Sequence, residues 1–362
     1  MPNPFFYGGR VNPEQFVGRR AELQRIFAGL EVAHTGQLQS FSVVGPRRIG
    51  KSALLFYITN KFAAYLMQPA LYRIGYIELQ DANCRTLGGM LEIILKQLGV
   101  GQLSGKKTPL VEFQDAIIEL KARGVFPVVC LDEFEELTAH PDQFKPDLYD
   151  SWRYLINQEA ITFITASKSP LIDLAQDRGP TSPFFNVFSH LPLGELTDDE
   201  ARELIARGAE CDRPFTSTEQ SDALLLADKH PYKLQLVSSL LYQAKADNRV
   251  VDWAELRREF VTQLQSVGLE ADMGRTLKQV GRPTKEGEPT ESVTRRARFR
   301  TFSSVFAFAL YALAIALMIY SRNAPNEQQW VVIIAAVFVL VGIVLTLISF
   351  GVIPINDSER TV

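Results

Sequence analysis

Cysteine is scarce in this sequence: Cys84, Cys130 and Cys211 are the only three in 362 residues, and they lie far apart. No CxxC pair and no Cys/His cluster accompanies them, which argues against a disulfide framework or a structural zinc site and implies a reducing compartment. A basic excess is missing too. The 38 Lys and Arg residues face 41 Asp and Glu, for a net charge of -3, so composition carries no specific signal for nucleic acid. Residues 1–10 are rich in Pro and Gly and lack the basic-then-apolar run of a signal peptide, so the soluble part is expected in the cytoplasm. There is no internal repeat. Two stretches, 301–321 and 330–355, hold no charged residue at all.

What is present falls into three parts. Up to about residue 195, short apolar runs alternate with helical patterns. Strands are predicted at 41–44, 71–79, 126–131 and 161–166, and helices at 19–30, 51–66, 86–98, 110–122 and 147–159. The run 126–131 is too short for a helix and reads as a strand buried on both faces. This alternation predicts an α/β fold with a parallel sheet covered by helices. From 196 to 268 only helical periodicity remains, at 198–208, 219–227, 232–246 and 253–265, which predicts a small helical lid. Thr197 with Glu200 three residues on reads as its first helix start.

Residues 269–300 are polar, without an apolar face, and read as a linker. The uncharged runs then predict two transmembrane helices, at about 301–321 and 330–353, each long enough to cross about 30 Å of hydrocarbon. The loop between them is short, so the pair forms a hairpin. Arg295, Arg296, Arg298 and Arg300 precede the first span, whereas the loop holds only Arg322 and Glu327. That asymmetry puts the N-terminal domain and the tail 356–362 in the cytoplasm, with the lipid bilayer as a partner.

The chemistry is concentrated at Gly45-Pro46-Arg47-Arg48-Ile49-Gly50-Lys51-Ser52, followed by Ala53. A glycine-rich loop between a strand and a helix turns successive N–H groups onto phosphate oxygens; Lys51 adds positive charge at the β and γ positions and Ser52 a hydroxyl for Mg²⁺. ATP and Mg²⁺ are the cofactors expected. The strand 126–131 ends in Asp132 and Glu133, at the edge where α/β sheets bind ligands. Asp132 is expected to hold the Mg²⁺ shell and Glu133 to polarise the attacking water. Glu135 and Glu136 read as a solvated helix face. Thr165 and Ser167, at the tip of the strand 161–166, are candidates to sense the γ-phosphate if that strand lies between the other two.

With these residues in view, the chain resembles the AAA+ superfamily of ATPases, and more closely its STAND group of signal-transduction NTPases, over about residues 16–265. The likeness rests on Phe16-Val17-Gly18-Arg19-Arg20, the phosphate loop, Asp132-Glu133, the run from Leu193 to Ala201, and His230-Pro231-Tyr232-Lys233. It implies that Val17 and Gly18 lie against the adenine and that Pro231 touches the nucleotide from the lid. Lys229 stands where a glycine is usual, and Lys168 where many relatives carry arginine.

The expected function is an ATP-driven assembly switch: nucleotide closes the lid, copies of the chain associate, and the hairpin supplies the output, with an unidentified protein or ligand as trigger. The alternatives are a membrane-anchored remodelling motor, for which no aromatic pore loop is evident, and a non-hydrolysing nucleotide-dependent adaptor.

Overall fold

A computed structural model describes residues 3–35, 38–176, 183–246 and 251–269. The chain divides into two compact units, Met1–Arg282 and Pro283–Val362, and every described residue belongs to the first. The linker from 270 on and both expected spans lie outside the described residues. Among the described residues no helix is long and apolar enough to cross a membrane.

The first part of the unit is a five-stranded parallel sheet of β1 (Ser40–Val44), β2 (Tyr72–Glu78), β3 (Phe126–Asp132), β4 (Thr162–Ser167) and β5 (Phe188–Pro192), in the order β2-β3-β4-β1-β5. Side chains alternate across the sheet as the pleat requires. Phe41, Val43, Val128, Cys130, Ile164 and Ala166 face one layer, covered by α1 (Arg20–Glu31) and α2 (Lys51–Lys61). Val129, Leu131 and Phe163 face the other, covered by α3 (Leu87–Gln97), α4 (Pro109–Ala122) and α6 (Pro146–Asn157). Two short helices, α5 (Glu135–Ala139) and α7 (Leu171–Gln176), follow β3 and β4.

β4 sits between β3 and β1, so the loop after β1 and the acids after β3 flank its tip. β5 has no counterpart among the predicted strands. It is an edge strand paired only with β1, and of its five residues Leu191 alone is fully buried, so it lacks an apolar run. The helix predicted over 51–66 stops at Lys61, where a 3₁₀ turn takes over.

The helical part comprises α8 (Asp198–Ala206), α9 (Ser217–Ala227), α10 (Pro231–Ala246) and α11 (Trp253–Ser266), around a core that includes Leu204, Leu236, Val237, Leu241 and Phe260. α8 opens with a full capping box. The Thr197 hydroxyl accepts from the Glu200 N–H at 3.3 Å and the Glu200 carboxylate accepts from the Thr197 N–H at 3.1 Å. The other Glu200 oxygen accepts from the Arg20 N–H at 3.0 Å, which ties α8 to the start of α1.

Residues 3–11 bind both parts. Asn3 donates to Ser239 Oγ at 2.8 Å and the Phe6 N–H to Gln235 Oε1 at 3.0 Å, while Phe5 stacks on Phe215. A few residues on, Arg10 pairs with Glu78 at the end of β2 and lies over the rings of Phe56 and Tyr76. The segment therefore reaches from the helical part to the sheet edge.

Candidate functional site

The loop after β1 is shaped by two glycines. A Cβ on Gly45 would come within 2.5 Å of the Leu193 carbonyl oxygen, and Gly50 adopts φ +101°, which a side chain would resist. Gly50 starts α2, so Lys51 and Ser52 are its first residues. Lys51 is buried at 7 % exposure, and its ammonium donates to the carbonyls of Gly45 at 2.8 Å and Pro46 at 3.0 Å. Burial lowers its pKa, against the upward pull of Glu133, Glu135 and Asp132. The loop is braced from α1's cap: Arg19, itself buried, donates to the Ile49 carbonyl at 2.8 Å.

At the end of β3 the chain turns sharply, with Glu133 at φ +54°, a conformation costing about 1 kcal/mol for a non-glycine residue. Asp132 is buried, and both its oxygens are occupied: Oδ1 accepts from the Glu133 N–H at 3.0 Å and Oδ2 from the Tyr76 hydroxyl at 2.6 Å. Burial and the Asp132 charge raise the Tyr76 pKa, so the phenol keeps its proton.

Lys168, just past β4, ion-pairs with Glu133 at 3.1 Å and Glu135 at 2.8 Å. Burial raises the Glu133 pKa in spite of Lys168, whereas at Glu135 the ammonium outweighs burial and lowers it; Lys168 is raised in turn, chiefly by Glu135.

A cavity of about 750 Å³ brings most of these groups together. Its walls include Val17, Arg47, Arg48, Gly50, Lys51, Ser52, Ala53, Glu133 and Pro231 from the expected set. Lys168 and Tyr76 join them, as do Tyr232 from the first turn of α10 and residues 6–11. Arg48 lies 4.5 Å over the Tyr232 ring, and Tyr7 meets the same ring edge-on, so the loop, the lid and the N-terminal segment converge there.

Gly45, Pro46 and Asp132 are not among its lining residues, Pro46 being exposed and Asp132 buried, and Gly18 lines a neighbouring groove with Tyr57 and Tyr65. Ser167 is fully buried and its hydroxyl donates to the Ser169 carbonyl at 2.7 Å, so the side chain that the β4 tip presents to the cavity is Lys168. Thr165 is also fully buried. The solvated-face reading of the acids after Glu133 is corrected at Glu135, which is tied to Lys168 with both oxygens out of solvent, whereas Glu136 makes an exposed pair with Arg85 at 3.5 Å. α5 is a single short turn that packs against α7 and buries Leu137. Tyr76 had no motif to mark it, and Tyr232 stood within the run His230-Pro231-Tyr232-Lys233 without a role of its own; Glu135 had one weak sign, its place two residues beyond Glu133 around the apolar Phe134.

No family model matches the chain. It is 23% identical over 265 residues to an uncharacterized HTH-type transcriptional regulator of Methanocaldococcus jannaschii, a match that covers 64% of this chain and 64% of that protein. Among solved structures it superposes on the Aeropyrum pernix ORC2 protein, in ADPNP–ADP complexes, with a TM-score of 0.55 at 16% identity over 72% of each chain. A Walker-type ATPase of Pyrococcus abyssi matches with a TM-score of 0.54 at 15% identity, over 94% of this chain and 99% of that one. The Aeropyrum pernix ORC1 protein in complex with DNA gives 0.50 at 18% identity, over 91% of this chain and 84% of that one. What the chain shares with these structures is the fold, the parallel α/β sheet of a P-loop NTPase. In this fold the loop after β1, Glu133 beyond β3 and Pro231 at the start of α10 come from separate elements, and all three border one cavity.

Proposed function

We propose that the chain is a lidded ATPase that works as a nucleotide-dependent assembly switch of the STAND kind. The observation that carries this reading is the convergence on one cavity of Lys51 and Ser52, of Glu133, and of Pro231 with Tyr232. The cavity volume of about 750 Å³ suits a nucleoside triphosphate, within the ordinary range for ligand pockets. The donor set fits as well: loop N–H groups and Lys51 for the phosphates, Ser52 and Asp132 for Mg²⁺, Val17 and Pro231 for the base.

Bound Mg²⁺ supplies charge neutralisation on the phosphates. The protein's own part is positional. Glu133 orients a water and takes its proton, Tyr76 and the Glu133 N–H hold Asp132 in place, and the lid with residues 6–11 keeps bulk water out. Comparison of wild type with Lys51→Ala and Glu133→Gln tests this. Lys51→Ala should lose ATP binding, and Glu133→Gln should bind ATP while its turnover falls to background. Equal turnover in all three would refute the assignment.

The membrane output is supported by the uncharged runs 301–321 and 330–355 and the arginines before them. Removal of residues 301–362 should release the protein from membranes; partition of the full chain into the soluble fraction without detergent would overturn the tether. Assembly is tested by mass with and without ATP. A second reading, with duplex DNA as trigger or partner, is favoured by the fold match to an ORC1 protein solved with DNA and by the relative named as an HTH-type regulator. Salt-sensitive binding to a DNA duplex would support it.

A further inference from the structure

β3 does not simply end at its acids. The Phe134 side chain turns into the core with no exposure, and its N–H donates to the Ala166 carbonyl at 2.9 Å. That bond fastens the turn after β3 to the tip of β4. The residues on either side of Phe134 both meet Lys168, which stands two positions beyond Ala166. Both Glu135 oxygens are shielded from solvent, so its charge depends on the ammonium 2.8 Å away. Glu133 also holds a left-handed backbone conformation that its surroundings must enforce. One cation thus bridges the residue read as the water-activating base and a second acid with no access to the reacting atoms of its own.

We propose that Glu135 and Lys168 act as a unit that positions Glu133 for ATP hydrolysis, with Glu135 anchoring the ammonium and the ammonium fixing the Glu133 carboxylate. Both are positioning residues, because they act through Glu133. The proposal rests on the ATPase reading above. Two charges in mutual contact are coupled, so loss of either should release the same constraint.

The test is steady-state ATP turnover of the full chain carrying Lys168→Met, Glu135→Gln, both together, and Lys168→Arg, with Glu133→Gln as reference. Lys168→Met and Glu135→Gln should each lower kcat at least tenfold while KM for ATP stays within twofold. The double variant should be no slower than the slower single one, and Lys168→Arg should recover most of the rate. A merely structural pair would not produce a kcat-only loss with rescue by arginine. Unchanged kcat in Glu135→Gln, single effects that multiply in the double variant, or a loss confined to KM would each overturn the proposal. If thermal melting shows Glu135→Gln unfolded, Glu135→Asp takes its place: it should lower kcat at constant KM, and full activity would overturn the idea. Inactive Glu133→Gln beside normal Lys168→Met and Glu135→Gln sinks this proposal alone; fully active Glu133→Gln sinks the assignment of Glu133 as the base, on which it rests.

Discussion

The Tyr76 hydroxyl donates a 2.6 Å hydrogen bond to Oδ2 of Asp132, from the neighbouring strand and across a gap of 56 residues in sequence. With Oδ1 held by the Glu133 N–H, the carboxylate expected to serve Mg²⁺ has no rotational freedom left. Tyr76→Phe removes one of the two restraints and leaves the ring packing intact. Half-saturation by Mg²⁺ in ATP turnover should rise roughly tenfold, the lower end of such outer-shell losses, with metal-free nucleotide binding unchanged. An unaltered Mg²⁺ dependence would show that the phenol plays no part in holding Asp132.

The Arg48 guanidinium over Tyr232 joins the phosphate loop to the first turn of α10. A cation–π contact of this kind contributes about 0.5–1 kcal/mol at an exposed site, so Arg48→Ala should speed nucleotide dissociation roughly two- to fivefold. Displacement of a fluorescent nucleotide by excess ATP in a stopped-flow measures this directly. Dissociation at the wild-type rate would mean that the stack does not restrain the lid.

Glu200 serves two helices at once, closing α8's capping box and accepting from the Arg20 N–H. The N–H donors hold its pKa below the usual carboxylate range although burial pushes it up. Glu200→Ala strips a capping partner from α8 and leaves the Arg20 N–H without its carboxylate. The loss should be about 1–3 kcal/mol, visible as a melting point lower by several degrees. A shift of less than a degree would contradict the bridging role.

His230 is buried at 9 % exposure, and burial, aided by Lys233 and Arg19, pushes its pKa down to about 4. Its ordinary value is about 6.5, so between these two the unfolded chain binds the extra proton and stability falls as pH falls. At pH 5 the cost relative to pH 7.5 is about 2 kcal/mol from this group alone. Urea unfolding at the two pH values should show a loss smaller by about that amount in His230→Gln than in wild type. Identical losses in the two proteins would remove His230 from the account.

The central strands announced themselves because β3 and β4 are buried on both faces, which leaves runs such as Val128-Val129-Cys130-Leu131. β5 stayed hidden, since an edge strand needs only Leu191 to reach the core. Thr197 and Glu200 marked the start of α8 by their spacing; Thr216 and Glu219 carry the same signal and move the start of α9 ahead of the predicted 219. At the site, the groups legible in advance were those whose geometry is local: a glycine loop, a strand end, a proline at a helix start. Lys168 beside Glu135, Tyr76 on Asp132 and Tyr7 against Tyr232 are meetings made by the sheet order and by the docking of the lid. Nothing within a short window of sequence foretells them.

The docking of residues 3–10 also sets an order of events during synthesis. Asn3 and Phe6 bond to Ser239 and Gln235, which follow them by 236 and 229 residues and leave the ribosome last of the four. The sheet, with its phosphate loop, can form while these early residues wait undocked, because contacts of such separation carry the largest loop-closure cost. The cavity is therefore sealed late, by its oldest residues, and newly made chains pass through a stage in which the glycine loop after β1 exists and the door over it does not.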